Sequence, residues 1–488
     1  MSAEVHELHL TGCAPRPLAA WLKAVGILRL VAEQADPDAT AHWHGDHLVL
    51  TSTLDAEALA SFLTTSYRPT PVISPWNGGS GFYPKDNQSG IGPLSERSSP
   101  RFQAYAEAIA VARRVLADLG LEEKSKDAKA QIIERLRAEL PDAALAWLDA
   151  AITLTTDGTK FPPLLGSGGN DGRLDFSNNF MQRLEELETT PEPQRRRWLD
   201  HALFGRPTPE LPRDSVGQFL PANAGGFNTG FGLDADSRVN PWDYILLIEG
   251  SLAFAAAAVR KLDGARSSEL AFPFMVKSAG AGYPSAAEKD ESATRQEIWL
   301  PLWAGRASWR EISQLLAEGR ATCASSNSRR PIATSLDFAR ALGDLGVDRG
   351  ISAFERFGLH VRNGLSVLAV PLGRWPVRRV GGASRLASLD IWLQRFRDAT
   401  RDGAPASLRR ARRALDEAVL CVCMDDTWPS RRALLMSLAN VELQLNRSFK
   451  FATAEAHVPP IPFLDQAWLP TVEEADVEER LALALAGT

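Results

Sequence analysis

Apolar and polar residues alternate over residues 5–10, and this period of two predicts a short strand near the start of the chain. Pro17 then stands at the start of a stretch whose apolar positions recur every three or four residues, which predicts a helix. Residues 39–53 alternate on both sides of Gly45-Asp46 and predict a hairpin, and Asp55 is placed to cap the helix that follows. The chain therefore opens with small strands around one apolar helix.

Longer periodic stretches follow, and most of them have the apolar spacing of helices. Further helices are predicted at 101–119, 125–139, 142–150, 191–204, 241–262, 308–318, 332–345, 350–357, 384–400, 405–424 and 430–447. Strands are predicted at 271–277, 296–303 and 365–370.

This order of elements predicts an α+β fold with two parts. Residues 1–380 are expected to form a mixed, helix-rich N-terminal body with small sheets and long loops, and residues 381–488 a C-terminal helical bundle. The sequence stops about two turns into a new helical pattern. We therefore expect the intact gene product to continue beyond residue 488.

Three segments rich in Gly and Asn, at 75–92, 164–179 and 217–240, interrupt the periodic pattern. Glycine allows backbone N–H groups to form concavities that bind anions, and Asn, Gln, Lys and Arg side chains bond to base edges and phosphates. The candidate nucleic-acid contacts in the first two segments are Asn77, Lys85, Asn87, Gln88, Asn170, Arg173, Asn178 and Asn179. The alternative is that these are ordinary turn formers, with Ser177 capping the next helix.

The net charge of the 488-residue chain is -6, which excludes a uniformly basic nucleic-acid binder. Residues 320–413 nevertheless contain 18 arginines, no lysine and seven acidic residues. The guanidinium group suits phosphates and guanine edges, although charged helix faces are also often plain solvated surface. The candidate phosphate-binding residues are Arg329, Arg330, Arg378, Arg379, Arg409, Arg410, Arg412 and Arg413.

The four cysteines, Cys13, Cys323, Cys421 and Cys423, have no spacing that is typical of a disulfide framework. No signal peptide is evident at the start, and no apolar run reaches the ~20 residues that a membrane-spanning helix needs. We expect a protein of the reducing cytoplasm that does not associate with membranes.

One stretch, His42-Trp43-His44-Gly45-Asp46-His47, matches the HxHxDH pattern of metallo-β-lactamase-type hydrolases. That class needs further downstream metal ligands, and no histidine occurs between His47 and His201. A strand is predicted after His47, where a helix would be required. No nucleotide-binding or nucleophile motif occurs elsewhere. We therefore expect no catalytic residues, no metal and no cofactor, and keep a metal-dependent hydrolase or nuclease as the alternative.

Several long blocks resemble one known family, the large subunit of type I-G (formerly type I-U) CRISPR effector complexes. The blocks include HLTGCAPRPLAAWLKAVGILRLV, SPWNGGSGFYPKD, FPPLLGSGGNDGRLDFSNNFMQRL, NPWDYILLIEGSLAFAAA, AFPFMVKSAGAGYPS, EIWLPLW and DFARALGDLGVDRGISAFERFGLHVRNGLSVLAVPLGR. They occur in the same order as in the family and span nearly the whole chain.

The resemblance implies a non-catalytic subunit of a prokaryotic surveillance complex that is guided by crRNA. Such a subunit recognises the protospacer-adjacent motif in double-stranded DNA, stabilises the R-loop and helps to recruit a helicase–nuclease. Its partners are crRNA, target DNA, the backbone subunits, the subunit that caps one crRNA end, and the small subunits. The eight candidates between Asn77 and Asn179 become motif contacts under this hypothesis. A third hypothesis is a purely structural scaffold whose basic segment meets acidic partner subunits.

Overall fold

The structure, a computed structural model, describes residues 4–155, 158–166, 168–171, 174–208, 210–214, 219, 237–255, 257–260, 268–271, 274–278, 294–318, 322–325, 328–331, 334–345, 350–362, 366–378, 385–400, 403–471 and 473–486. Helices and small sheets occur together in these ranges, and the C-terminal part is helical. The predicted mixed α+β class is therefore confirmed.

The N-terminal elements are short strands and helices, with five helices in succession between the third and fourth strands. In chain order they are β1 (His6–Leu10), α1 (Leu18–Gln34), β2 (Thr40–His44), β3 (His47–Ser52), α2 (Ala56–Ser61), α3 (Ile91–Glu96), α4 (Gln103–Asp118), α5 (Lys129–Glu139), α6 (Asp142–Ala151), β4 (Thr153–Thr155), β5 (Gly158–Lys160), β6 (Asn170–Asp171), β7 (Leu174–Asp175), α7 (Phe176–Thr189) and α8 (Glu192–Phe204).

The remaining elements are β8 (Arg213–Asp214), β9 (Ser237–Arg238), α9 (Pro241–Ser251), β10 (Ala257–Arg260), β11 (Ser268–Ala271), β12 (Met275–Val276), β13 (Thr294–Trp303), β14 (Ala307–Ser308), α10 (Trp309–Glu318), β15 (Thr322–Ser325), β16 (Ser328–Pro331), α11 (Ser335–Leu345), β17 (Ile351–Arg362), β18 (Ser366–Pro376), α12 (Asp390–Ala399), α13 (Ala406–Met424), α14 (Trp428–Arg447) and α15 (Val477–Ala486). Two four-stranded sheets have the orders β1-β3-β2-β14 and β12-β13-β17-β18.

Two stretches predicted as helix have a different structure. The helix predicted over 241–262 ends at Ser251, and β10 follows it. The stretch 350–357 belongs to strand β17, whose described residues from Ala353 to His360 are all buried. A strand that is covered on both faces does not alternate in sequence, so periodicity alone did not distinguish it from a helix.

The first sheet and helix α1 confirm the opening pattern. β1 and β3 pair antiparallel with Leu8 opposite Leu50, and β2 pairs with β3 across the predicted hairpin. Asp55 caps α2, because its carboxylate accepts a hydrogen bond from the Ala58 N–H at 2.7 Å. Local turn and capping chemistry was sufficient to predict these elements.

Helices α1 and α9 pack backbone against backbone. A Cβ atom at Gly26 would lie 2.1 Å from the Leu246 carbonyl oxygen, and one at Gly250 would lie 1.9 Å from the Leu22 carbonyl oxygen. Only glycine permits this approach at either position. The two helices therefore form a single rigid support for the segments that connect to them.

A buried ion pair joins these two helices to the first irregular segment. The Glu249 carboxylate on α9 is fully buried and accepts hydrogen bonds from Arg29 Nη1 at 2.7 Å and from the Tyr67 hydroxyl at 2.6 Å. The Thr70 N–H and hydroxyl also donate to it, at 2.9 and 2.7 Å. A buried carboxylate with this many donors fixes its surroundings, so the backbone is held in place where the Gly-rich segment begins.

The chain divides into two compact units. The first contains Met1–Met275, Ser292–Arg320 and Glu355–Gly373, and the second contains Val276–Glu291, Ala321–Phe354 and Arg374–Thr488. The last change of unit, at Arg374, lies close to the boundary predicted after residue 380. The sequence did not indicate that two earlier segments group with the C-terminal helices.

In the second unit, α13 and α14 pack through buried aliphatic side chains that include Leu415, Val419, Leu434 and Leu438. Among the described residues, no helix has the length and apolar character that crossing a membrane requires.

Candidate functional site

The first two Gly-rich segments lie against each other in the first unit. The Trp76 indole N–H and the Asn77 amide Nδ2 both donate to the Gly168 carbonyl oxygen, each at 2.8 Å. Gly168 has a φ of +82°, and a Cβ atom there would lie 2.8 Å from the Phe161 ring. A side chain at this position would separate the two segments. We call residues 74–90 and 161–179 together the two-loop site.

A carboxylate of the protein occupies the N–H groups of the first loop. Asp86 accepts hydrogen bonds from the N–H groups of Gly79, at 2.9 Å, and Gly81, at 3.0 Å, and both glycines have positive φ angles. In the second loop, the Gly169 N–H donates to the Leu165 carbonyl oxygen at 2.9 Å. The expectation that the glycines at 166–172 present N–H groups to an external anion is therefore wrong for Gly169, and the N–H groups of Gly79 and Gly81 in the first loop are likewise occupied.

Helix α7 begins inside the site, two residues earlier than a cap at Ser177 would place its start. Asp175 caps it by accepting from the Asn178 N–H at 2.9 Å and from the Ser177 hydroxyl at 2.6 Å. The prediction of Ser177 as the cap is therefore wrong, because the carboxylate precedes it and bonds to both residues. The Asn178 side chain is then directed at the first loop, where Nδ2 donates to the Gly79 carbonyl oxygen at 2.6 Å.

Burial raises the pKa of Asp175 to about 6, although the Ser177 hydroxyl and the Asn178 N–H act in the opposite direction. Within the described residues, its Oδ2 atom has no hydrogen-bond partner. The charged form of the Asp175 carboxylate is therefore destabilised, because one oxygen has lost its water without gaining a hydrogen-bond donor. In the cap of α7, Oδ1 of Asp175 accepts hydrogen bonds and Oδ2 accepts none from the described residues.

Lys129, the first residue of α5, lies beside the junction of the two loops. Its ammonium is 4.2 Å from the centre of the Phe161 ring and 3.3 Å from Asn77 Oδ1. Burial lowers the pKa of Lys129 to about 8, and the charge of Lys124 is the second cause. The Asp175 carboxylate acts in the opposite direction. A partly desolvated ammonium of this kind gains more from an anionic partner than a fully solvated one.

Two exposed lysines extend this charge across the surface of the first loop. A Cβ atom at Gly78 would lie 3.1 Å from the Lys124 side chain, so Lys124 passes directly over the Gly78-Gly79 turn. Lys85 is 90% exposed, and its only described ion pair is a surface contact with Glu123 at 3.5 Å. Surface pairs of this kind contribute little, so Lys85 is available to a partner. We call Lys85, Lys124 and Lys129 the lysine cluster.

Lys124 and Lys129 were not among the predicted site residues, although the sequence contains a signal for them. Five of the ten lysines of the chain lie between residues 85 and 160, whereas arginine is the usual cation elsewhere. Local enrichment of one cation type next to a Gly-rich segment is the pattern that would have identified the cluster.

The structure brings the predicted residues of the two segments together but exposes them unequally. Asn77 is 2% exposed and Asn178 4% exposed, and both amides bond to loop backbone. As placed, they hold the loops rather than present their amides to a ligand. Asn87, Gln88 and Lys85 are exposed, and Asn179 is half-buried. Asn170 is described only as a backbone position in β6, and Arg173 lies outside the described residues.

The predicted phosphate-binding arginines are spread over several elements. Arg329 and Arg330 are described as backbone positions of β16, Arg378 is exposed just after β18, and Arg379 lies outside the described residues. On α13, Arg410 is exposed, whereas Arg409, Arg412 and Arg413 are half-buried. Arg412 Nη1 donates to the Thr400 carbonyl oxygen at 2.7 Å, so part of its donor capacity serves the fold.

The histidine-rich stretch forms the predicted hairpin, and strand β3 follows His47 as expected. His9 joins it from β1, with its Nδ1 atom 2.9 Å from His47 Nε2. Burial and the nearby His9 and His44 lower the pKa of His47. In the part of the chain that the structure describes, no three His, Cys, Asp or Glu side chains are arranged to hold a metal ion. This geometry gives the hydrolase alternative no support.

Comparison with known proteins does not assign a function to this site. No protein-family model matches the chain, and no characterised protein matches its sequence.

Proposed function

We propose that this protein is the non-catalytic large subunit of a type I-G CRISPR effector complex. In this role it recognises the protospacer-adjacent motif in double-stranded DNA and stabilises the R-loop, from which a helicase–nuclease is recruited. The proposal starts from the resemblance of the sequence blocks described above. It is supported by the fact that the blocks at 74–86 and 161–184 pack into one site.

The observation that carries the proposal is the lysine cluster beside the two-loop site. Double-stranded DNA presents closely spaced phosphates, and proteins bind it by neutralising them with Lys and Arg. Lys85 and Lys124 are exposed, and Lys129 is held close to them by Asn77 and Phe161. In the same site, Asn87 and Gln88 expose amide side chains of the type that bonds to base edges. Phosphate contacts and base contacts are thus available on one surface.

A binding experiment on the assembled complex tests this role. The chain is assembled with crRNA and its partner subunits, and duplexes with and without the motif are titrated in an electrophoretic shift assay. We expect Lys124→Ala with Lys129→Ala to weaken binding of the motif-containing duplex by about 10- to 100-fold at ~100 mM salt. The slope of log affinity against log salt should decrease by about two.

Lys450→Ala is the matched control, because Lys450 is an exposed lysine of the second unit. The complex that contains Lys450→Ala should bind the motif-containing duplex with the same affinity as the wild-type complex. Unchanged duplex binding by the double variant, with the complex intact, would remove the lysine cluster as the DNA contact. A chain that does not assemble with crRNA and the partner subunits would contradict the proposed membership of the complex itself.

A further inference from the structure

A cavity of about 400 Å³ opens in the first unit between α1, α8 and α9, and it shares no lining residue with the lysine cluster. Its volume lies in the range of small-molecule sites. Most of the wall is apolar and includes two aromatic side chains, Phe219 and Tyr244, together with Pro17, Ala20, Leu211 and Leu247. Walls of this kind favour a flat apolar or aromatic group over a hydrated ion.

One end of the cavity has a donor and an acceptor side by side. The Lys23 ammonium is 5% exposed and donates to the Ala202 carbonyl oxygen at 2.7 Å and to Asp243 Oδ1 at 2.6 Å. Burial alone would lower the pKa of Lys23, but the charge and hydrogen bond of Asp243, together with Cys13, keep the pKa above its usual value. An ammonium has three hydrogens and a carboxylate has several lone pairs, so both groups retain capacity for a ligand.

A third polar group on the cavity wall is the His201 imidazole, and the neighbouring Asn240 amide determines which of its nitrogens carries the proton. Asn240 Oδ1 accepts from the Trp242 N–H at 3.1 Å, which orients the amide so that Nδ2 faces Trp198 O and His201 Nδ1. Because Nδ2 is a donor, His201 Nδ1 must accept, and a neutral His201 carries its proton on Nε2. His201 lines the cavity, so in its neutral form it brings one further N–H donor to the cavity wall.

We propose that this cavity binds one unpaired nucleobase with a carbonyl next to a ring N–H, such as guanine. The base carbonyl would accept from Lys23 or His201, and the N1–H and N2–H of guanine would donate to Asp243. The Lys23–Asp243 ion pair has no net charge, so this end of the cavity matches a neutral polar edge. Arg238 is a further cation of the cavity wall, and it is exposed. The aromatic and aliphatic walls would then cover the faces of the base.

The base can belong to a free nucleoside or to a nucleic-acid strand, and for a base within DNA the inference rests on the proposed function. Free guanosine is therefore the first probe, with calorimetric titration of the full chain. A ligand of about 20 heavy atoms and ordinary efficiency has a dissociation constant on the order of 10–100 µM. 1-Methylguanosine lacks the N1–H donor and should bind at least about tenfold more weakly.

Two variants test the position of the site. Ala20→Phe fills the cavity from α1 and should abolish guanosine binding, whereas Ala433→Phe, at an exposed position of α14, should bind like the wild type. Asp243→Asn keeps the shape of the side chain and should weaken binding about tenfold. Thermal unfolding of each variant without ligand shows whether the chain is folded.

Absence of guanosine binding to the wild type at millimolar concentration would overturn the inference. Equal binding of guanosine by the folded Ala20→Phe variant, or equal binding of 1-methylguanosine, would also overturn it. An oligo-dA strand with a single guanine, compared with the same strand carrying an abasic residue, identifies the strand as a source of the base. Because these titrations use no crRNA or partner subunit, their failure is distinguishable from failure of the proposed function.

Discussion

The protein has two concentrations of positive charge, and their cations are engaged differently. In the Arg-rich segment 320–413, several described guanidinium groups are paired with acids inside the fold, including Arg356 with Glu297 and Arg397 with Asp416, both at 2.7 Å. In the lysine cluster, Lys85 and Lys124 remain exposed and Lys129 contacts an amide oxygen and a ring. The net charge of a segment therefore does not measure the charge that is available to a ligand.

The chemistry of the two side chains explains this difference. The planar guanidinium group forms several directed hydrogen bonds at once and is weakly hydrated, so it suits buried ion pairs. The ammonium of lysine is strongly hydrated and tends to stay at the surface. The Arg-rich segment supplied the more prominent signal in the sequence, but the structure favours the lysine cluster as the first candidate for DNA phosphates.

The largest expected difference between the two regions concerns stability. Arg356 is buried against Glu297, and its guanidinium carbon lies 4.7 Å from the centre of the Trp299 ring. Arg356→Ala leaves a buried carboxylate without this partner, and we expect a loss of about 3–5 kcal/mol in the free energy of unfolding. Lys124→Ala should change it by less than about 0.5 kcal/mol.

Urea unfolding of the isolated chain, followed by circular dichroism, measures both values. Arg410→Ala is the matched control, because Arg410 belongs to the same Arg-rich segment but is exposed on α13. If Arg356→Ala lowered the free energy of unfolding no more than Arg410→Ala does, the buried ion pair of Arg356 would not stabilise the fold, and the contrast with the lysine cluster would be wrong.

A smaller effect on stability is expected at the cap of α7, beside the lysine cluster. The pKa of Asp175 is raised to about 6 by burial, from a usual value near 3.8. The folded chain therefore binds the proton more tightly than the unfolded chain, and stability decreases as the pH rises from about 4 to about 6. Asn is an equally good N-cap and carries no charge. Asp175→Asn should therefore add about 1–3 kcal/mol above pH 6.

Urea unfolding at several pH values between 4 and 8 tests this expectation. The difference between Asp175→Asn and the wild type should grow up to about pH 6 and then stay constant. Asp55→Asn provides the control, because Asp55 caps α2 at the surface. A variant that is less stable than the wild type at pH 7.5 would show that the Asp175 charge is needed in the folded chain.

The sequence predicted those elements whose determinants are local. The hairpin about Gly45-Asp46, the Asp55 cap and the C-terminal helices follow from turn residues, caps and apolar spacing. Strand β17 was missed because its burial depends on neighbouring elements that are distant in sequence. The grouping of 321–354 with the C-terminal helices has the same kind of cause.

For the candidate site, the sequence indicated the two Gly-rich segments but not how their polar groups bond to each other. Gly and Asn residues at 74–90 and 161–179 do come together, yet Asn77 and Asn178 are used to join the loops. The N–H groups of Gly79 and Gly81 are occupied by Asp86, five to seven residues further along the chain. Which polar group bonds to which other cannot be derived from composition, because it depends on the path of the backbone between them.

The smallest effect, and the most specific one, is the pH dependence of DNA binding. The pKa of Lys129 is lowered to about 8, so in the absence of DNA Lys129 loses its proton as the pH rises from 7 to 9. If the lysine cluster contacts phosphate, duplex affinity should fall about threefold over this interval, as one of several phosphate contacts is lost. Arginine keeps its charge throughout this range, so contacts made by the Arg-rich segment alone would give a flat profile.

Lys129→Arg should flatten the profile, and Lys124→Ala should move its midpoint upward, because the charge of Lys124 lowers the pKa of Lys129. A flat profile for the wild-type complex in fluorescence anisotropy titrations between pH 7 and 9 would exclude Lys129 as a phosphate contact.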